Sequence, residues 1–480
     1  MSDSKKQIVI IGGGITGLTA AYYLQKEVRE NHLPYSVKLV EASHRLGGQM
    51  QTYRKDGYLI ERGPDSFLET KEKAVRLAAE VGMADRLVHN TPGKTFILAN
   101  NQLHTIPGGA VMGIPTEIRP FMTTKLFSLS GKLRAAADLI LPRSQVLNDQ
   151  SLGGFFRRRL GDEVVENLIE PLLSGVYAGD IDKMSLMTLF PHFYQVEKKY
   201  RSLIVGMKKS APPRPKELPE KNKGSFLAFD TGLQSFADAI TAKLEPNSFK
   251  LGFRVERVWR KTRGYEIELN GGEVLTADSI IMTVPHHTIY TIFPEYEFFQ
   301  DFKDVPSTSV ATIALGFPKE AVQKDIDGAG FLISRNSDYT ITSCTWLHKK
   351  WPHTTPDGKV LLRCFVGRSG GEAIVDLSDD QIVANVMTDL SKTIEIKQDP
   401  ELAVVSRWIQ AMPQYTVGHQ ERMEKVRKGI KKELPGIFIA GSSYNGIGLP
   451  DCIKQGEEAV SKVLSYLQEI NLQEQIQISI

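Results

Sequence analysis

The 480-residue chain holds only three cysteines, Cys344, Cys364 and Cys452. They are too few and too far apart for a disulfide framework or a paired-thiolate metal site, so a reducing compartment, the cytoplasm, is expected. Net charge is also scarce: 59 Lys and Arg stand against 56 Asp and Glu, a formal +3. With 24% of positions charged and 41% apolar, the chain is neither disordered nor a histone-like nucleic-acid binder, and no nucleic-acid partner is expected. No apolar run approaches the roughly 18 residues that span a bilayer, so membrane contact would be peripheral. Met1 to Gln7 is polar and leads straight into an apolar strand, and no secretory leader is expected. No internal repeat is visible, and Gly and Pro stand near ordinary usage, which removes solenoid, collagen-like and low-complexity readings. The histidines show no metal-ligand spacing, and no Gly-x-Ser-x-Gly nucleophile motif occurs. What remains is a globular chain long enough for two to three domains.

What is present begins with Gln7–Ile11, a β-branched run, then Gly12-Gly13-Gly14-Ile15-Thr16-Gly17 and an Ala- and Leu-rich helical stretch, Leu18–Glu27. Ser36–Val40 reads as a second strand ending on Glu41. Strand, tight turn, helix and strand make a βαβ unit, so the fold class is α/β, with a doubly wound, Rossmann-like domain. Near the other end, Gly436–Ala440, Gly441–Pro450 and Asp451–Leu467 repeat the logic of strand, glycine-rich turn and helix. Two distant ends of the chain are therefore expected to build one cofactor site. Between Pro92 and Met207, stretches such as Ala110–Ile114 and Arg134–Leu141 read as an inserted helical domain. Lys208–Gly224, with Pro212, Pro213, Pro215 and Pro219 among many Lys, reads as an exposed connector. Phe249–Arg260, Tyr265–Leu269, Ser279–Val284, Val310–Phe317 and Val360–Val366 read as strands, with a mixed sheet in the later ones. The expected division is a discontinuous cofactor domain of residues 1–70, 225–290 and 410–480, and a substrate domain of 71–91 and 291–409. The helical insert covers 92–207 and the connector 208–224.

Gly12, Gly14 and Gly17 follow a strand and open a helix, where backbone can turn tightly and offer helix N-terminal amides to a pyrophosphate. Glu41, at the end of the second strand, is placed to accept hydrogen bonds from an unphosphorylated ribose diol. The continuation Glu41-Ala-Ser-His-Arg45-Leu-Gly47-Gly48 adds a cation and a glycine pair, further contacts to a dinucleotide extended across the domain that a nicotinamide site does not need, which favours FAD over NAD. Gly57–Ser66 places a further turn, Gly63-Pro64, where backbone can pass close to a flat ring. The pair His286 and His287, just after Pro285, reads as a loop feature without a catalytic role.

The opening glycine motif, the Glu-x-x-x-Arg-x-Gly-Gly continuation and Ala440-Gly441 with Gly446-Ile447-Gly448 resemble the FAD-dependent amine oxidase superfamily. More narrowly, Glu61–Phe67, Leu168–Pro171 with Ser174–Asp180, and Gly448–Cys452 resemble the oxygen-dependent protoporphyrinogen and coproporphyrinogen oxidases of haem biosynthesis. The similarity spans essentially the whole chain and is greatest to the soluble enzymes of Gram-positive bacteria. It implies non-covalently bound FAD, with Gly12, Gly13, Gly14, Ile15, Thr16 and Gly17 around the pyrophosphate, and Val40 and Glu41 at the ribose. It implies Arg45 and Gly48 at the remaining phosphate edge and Arg62, Gly63, Pro64 and Asp65 on the flavin side. Val255 would meet the adenine end, and Trp408, Gly441, Ile447, Gly448 and Leu449 would adjoin the isoalloxazine.

The implied reaction takes coproporphyrinogen III to coproporphyrin III, and also protoporphyrinogen IX to protoporphyrin IX, with O2 as acceptor and H2O2 as product. Aromatisation drives it, and no catalytic side chain is assigned. Implied substrate contacts are Lys71, Ile169 and Val176, with the surroundings of Phe331 and Thr345. Eukaryotic relatives carry an Arg in the stretch where this chain has Lys94 and Thr95, so the propionate contact there departs from their pattern. The resemblance also suggests hand-over of product to the ferrochelatase step. Phe121, Met122, Leu126, Phe127 and Leu129, interleaved with Arg119, Lys125, Lys132 and Arg134, read first as the roof of the substrate cavity and, as the alternative, as a surface in peripheral contact with anionic lipid. Two alternatives stand beside this reading. One is another superfamily flavoenzyme, an amine oxidase or carotenoid desaturase, although amine oxidases have aromatic residues where this chain has Ile447 and Leu449. The other is a non-catalytic escort protein of the same fold.

Overall fold

The computed structural model describes residues 5–145, 148–210, 223–323 and 326–478. A five-stranded parallel sheet carries the glycine motif, in the order Phe249–Leu251, Tyr35–Glu41, Lys6–Ile11, Ser279–Met282 and Ile437–Ile439. Alternate residues of the first strand bury on opposite faces. Ile8 and Ile10 enter a core shared with helices Ile15–Glu30 and Gly232–Thr241 and the last helix, Leu449–Ile478. Val9 and Ile11 enter a second core with the antiparallel meander Val255–Arg260, Tyr265–Leu269, Val274–Ala277 and helix His419–Glu433. Covering both faces is the condition under which a parallel sheet is stable. Phe249–Arg260, expected as one strand, is two: Gly252, at φ +77°, turns the chain from the parallel sheet into the meander.

A second, seven-stranded sheet runs Leu402–Pro413, Ser307–Pro318, Lys359–Val366, Ile341–Trp346, Gly330–Ile333, Thr95–Ala99 and Gln102–Thr105. It is mixed: Gly330–Ile333 pairs parallel with Thr95–Ala99 and the other pairs are antiparallel. Helix Asp379–Ser391, started by a Ser378–Gln381 capping box, packs its Ile382, Val386 and Leu390 into the core of this sheet. Here the expected boundaries need correction. Thr95–Ala99 and Gln102–Thr105, placed in the helical insert from sequence, complete this sheet. Ala110–Ile114 forms not a helix but part of a small hairpin, Ala110–Val111 with Ile114–Pro115. Leu402–Pro413 also runs unbroken through the boundary expected at 409/410.

The helical region begins at Ile118 and ends with helix Leu203–Ser210. Lys208–Ser210 therefore belong to a helix, whereas residues 211–222 of the expected connector lie outside the described residues. Arg159 is wholly buried at its centre, with Nε 2.6 Å from Asp138 Oδ1 and Nη1 3.4 Å from Glu197 Oε1. Ser202 Oγ and Ile204 N donate to the other oxygen of Asp138, so every charge in this core has partners. Residues 165–169 widen into a π-helical turn, a deviation frequent near functional sites. Among the described residues no helix is long and apolar enough to cross a membrane.

Candidate functional site

A cleft of about 440 Å³ opens where the parallel strands end, lined by Ile11, Gly12, Val40, Glu41, Thr283, Val284 and Gly441 among others. This is where doubly wound sheets bind ligands. Gly12 has φ +107°, and a Cβ there would come within 2.6 Å of Thr283 Oγ1. A Cβ on Gly17 would collide with the carbonyl of Gly12, whereas Gly14 faces open space. Gly14 starts helix Ile15–Glu30 with no side-chain cap and no acidic residue in the first turn, so the helix N-terminus is left for an anion from outside. Glu41 is held by its own loop: Oε2 accepts from Gly13 N at 2.6 Å and Oε1 from Ser43 N at 2.8 Å.

Of the expected cofactor residues, Gly12, Gly14, Ile15, Thr16, Val40, Glu41, Gly48, Pro64, Val255, Gly441, Ile447 and Leu449 line this cleft. Gly13, Gly17, Arg45, Arg62, Gly63, Asp65, Trp408 and Gly448 do not line it. Arg45, expected at a phosphate, spends its guanidinium on the carbonyls of Leu46, Gly48 and Met50, and so fixes the loop that places Gly48. Arg62 donates from Nε to Ser406 Oγ at 2.9 Å, and its carbonyl accepts from Trp408 Nε1 at 2.8 Å and Thr312 Oγ1 at 2.9 Å. Trp408 thus buttresses the turn that presents Pro64, and Gly63 is required there because a Cβ would collide with the carbonyl of Gln49. Asp65 turns inward to Lys350, 3.2 Å away, and Arg363, 3.8 Å away. Burial opposes its charge, but Lys350, Arg363 and Ser66 outweigh this and hold the carboxyl well below its ordinary range. Its neighbour Glu61 lacks such cations at bonding distance. Burial pushes it up to about 7 despite hydrogen bonds from Leu233 N and Thr52 Oγ1.

The C-terminal wall is Gly441–Leu449. Gly441, at φ +126°, donates its N–H to Gln455 Oε1, and Gln455 Nε2 returns to Asn445 O at 2.9 Å. A Cβ on Gly448 would meet Asp451 Oδ2. His286, read as part of a loop, opens helix His286–Ile292 and is buried, its ring between Ser443 Oγ and Val305 O. Thr283, Phe253, Ser442 and Cys452 also line the cleft, and Arg363, Lys350, Tyr415 and Gln455 brace it. Cys452 and Ser442 lie inside motifs read from the sequence without being singled out, whereas Phe253, Arg363, Lys350, Tyr415 and Gln455 carry no motif, because each is defined by its partner across the fold and not by spacing.

Residues 15–464 match the family model described as "Flavin containing amine oxidoreductase". The chain belongs to this family. It is an FAD-dependent oxidoreductase, and the uncapped helix, the glycine turn and the open face at Gly14 fit that cofactor. The coproporphyrinogen III oxidase of Bacillus subtilis is 53% identical over 97% of this chain and all of that protein. The coproporphyrinogen III oxidase of Staphylococcus aureus is 43% identical over 96% of this chain and likewise all of its own length. A crystal structure from Exiguobacterium sp. 255-15, provisionally named a protoporphyrinogen oxidase, superposes with a TM-score of 0.87 at 37% identity, covering 97% of this chain and 99% of that one.

In this flavin-containing amine oxidoreductase the residues expected at the substrate separate. Lys71, just before helix Glu72–Glu80, lies 2.8 Å from Asp451 in an open groove of about 520 Å³ with Lys73, Arg76 and Lys454. Ile169 is fully buried in the helical core and offers no surface to a ligand, which corrects its expected role. Val176, on helix Glu170–Tyr177, is 56% exposed. The adjacent Tyr177 phenol is raised by burial and by the charge of Asp451. Phe331 is buried in the sheet core, and Thr345 pairs with Gly330 beside it.

Proposed function

We propose that this chain oxidises coproporphyrinogen III to coproporphyrin III, and also protoporphyrinogen IX to protoporphyrin IX, with O2 as acceptor and H2O2 as product. The observation that carries this reading is the end-to-end similarity to two coproporphyrinogen III oxidases, with no domain unmatched on either side. Bound FAD would supply hydride acceptance at its flavin ring. The chain's own work is to hold and orient. Gly12–Gly17 and Gly48 would hold the pyrophosphate, Glu41 the ribose and Val255 the adenine end. Pro64, Ile447 and Leu449 would bound the flavin, with Arg45, Arg62, Asp65 and Trp408 fixing those turns from behind. The apolar Ile447 and Leu449 suit a macrocycle better than an amine. Each of three two-electron steps removes a hydride equivalent from the porphyrinogen and a proton to solvent, and aromatisation supplies the driving force.

The parallel sheet with its meander would form the cofactor domain, the seven-stranded sheet the substrate domain and the helices from Ile118 the third. Of the apolar residues expected at lipid there, Phe121, Leu126 and Phe127 are buried in the helical core and are removed from that role, whereas Met122 and Leu129 are exposed, as are Ile118, Leu133 and Ile140 of the same region. We assign to this face peripheral contact with anionic lipid and, from there, passage of product to the ferrochelatase step. Vesicles containing phosphatidylglycerol should float the protein at low salt and release it at high salt; absence from the floated fraction at low salt removes the lipid contact. The reaction itself is tested by purifying the protein, extracting FAD, and assaying both porphyrinogens with and without O2. About three peroxides per porphyrin are expected. A colourless protein, or a yellow one that leaves both porphyrinogens unoxidised, overturns the reading.

A further inference from the structure

We propose that Tyr415 is a positioning residue that fastens the cleft turn Ser442–Gly446 to the helical region and thereby sets how firmly FAD is held. The inference rests on the FAD reading above. Tyr415 lies just past the end of the long strand Leu402–Pro413 and is buried. Its hydroxyl donates to Ser442 O at 2.5 Å and accepts from Gly446 N at 2.7 Å, so one oxygen closes the turn from both ends. Between these two points, Tyr444 O accepts from His419, whose ring stacks on that of Tyr415 with centroids 4.3 Å apart. Ser442 and the next residues after the turn, Ile447 and Leu449, line the cleft. Burial keeps the phenol well above its ordinary range, so it remains an O–H donor throughout the physiological range.

The same segment is gripped from the other side by the helical region. Ser185 N donates to Tyr415 O at 2.8 Å and Val417 N to Lys183 O at 3.0 Å. Met184 and Thr416 form a β-bridge, and Gly418 N donates to Asp149 Oδ2 at 2.9 Å. Asp149 Oδ1 in turn receives Met187 N, and Gln414 Nε2 donates to Tyr177 O. Tyr415 is therefore the side chain through which a displacement of the helices reaches the cleft turn. Removing its hydroxyl leaves the partly buried N–H of Gly446 and C=O of Ser442 without their partner, and the turn relaxes. The helix N-terminus that begins at Leu449 then moves away from the flavin, weakening its stabilisation of the reduced, anionic ring.

The test compares wild type, Tyr415→Phe and a control, Tyr265→Phe, which also loses a buried phenol hydrogen bond (to Pro435 O) but in the meander. Tyr415→Phe should release FAD on dilution roughly fivefold to tenfold faster and lower the midpoint potential of the bound flavin. Tyr265→Phe should lose thermal stability without changing either. Equal release rates and potentials for the two variants overturn the proposal. Asp149→Ala, which loosens the grip from the helical side and does not touch the cleft, should release FAD about twofold to threefold faster. An unchanged rate in that variant also overturns it, and it decides the matter alone if Tyr415→Phe does not fold. A wild-type protein that binds no FAD would instead overturn the cofactor reading beneath it.

Discussion

Lys71 Nζ lies 2.8 Å from Asp451 Oδ1, so the cation before the second helix is tied to the first turn of the helix that closes the cofactor cleft. Both side chains are partly solvent-exposed, and such a pair adds little stability, at most about 1 kcal/mol. The cation is thus available to a carboxylate ligand at small cost. Lys71→Ala should raise KM for coproporphyrinogen III, with four propionates, severalfold more than for protoporphyrinogen IX, with two. Steady-state kinetics on both substrates decide this, and equal changes would make Lys71 a contact common to both.

Glu41 organises the glycine turn before any ligand arrives, and its replacement should be felt at the cofactor. Glu41→Ala removes charge-assisted bonds worth roughly 1.5 to 3 kcal/mol, so FAD affinity should fall by about tenfold to a hundredfold. Fluorescence titration of the apoprotein measures it. A variant that stays as yellow as wild type after dilution would detach Glu41 from the ribose.

Glu61 gives stability a pH dependence of known sign. Its carboxyl titrates at about 7 in the fold against an ordinary 4.5, so the folded state holds the proton more tightly than the unfolded one. Below about 4.5 both states are protonated and nothing is lost. As pH rises from there through 7, burying the ionised group costs on the order of 2 to 3 kcal/mol. Glu61→Gln should therefore match wild type near pH 4.5 and be the more stable protein at pH 8. Melting curves across that range check it, and a wild-type advantage at pH 8 would refute it.

Arg159 is the buried hub of the helical region. Arg159→Met leaves Asp138 and Glu197 in the core without their cation and should destabilise the fold by about 3 to 5 kcal/mol. Urea unfolding monitored in the helical signal provides the number. FAD affinity of the folded fraction should change far less, since neither Asp138 nor Glu197 lines the cleft.

The parts legible in the sequence were those encoded by local steric or periodic constraints. Gly12 and Gly17 are required by close backbone approach, and Ile8 to Ile11 by burial on two faces, and each constraint leaves a local mark. Thr95–Ala99 was misassigned although Asn100 and Asn101, both at positive φ, form the turn of its hairpin. The surrounding Pro and Gly residues obscured that signal. Arg45, Asp65 and Trp408 stand in local motifs, but what a long side chain faces depends on partners such as Met50, Arg363 and the carbonyl of Arg62, which no local pattern records. Ile169 failed for the same reason: an apolar residue in a motif can point to ligand or to core, and only the packing chooses.

The parallel sheet draws its strands from residues 6–11, 35–41, 249–251, 279–282 and 437–439. During translation, the glycine turn emerges first and waits while several hundred residues are made before the strand at Ile437–Ile439 and the last helix can close the wall opposite it. Throughout that interval the apolar faces of the early strands have no complete cover. The cleft is therefore complete only once Gly441–Leu449, which forms its second wall, has been made. A chain that stops before residue 437 lacks both the fifth strand of the parallel sheet and the cleft residues Gly441, Ser442, Ile447 and Leu449, so the two halves of the cofactor site are separated in time of synthesis as widely as in sequence.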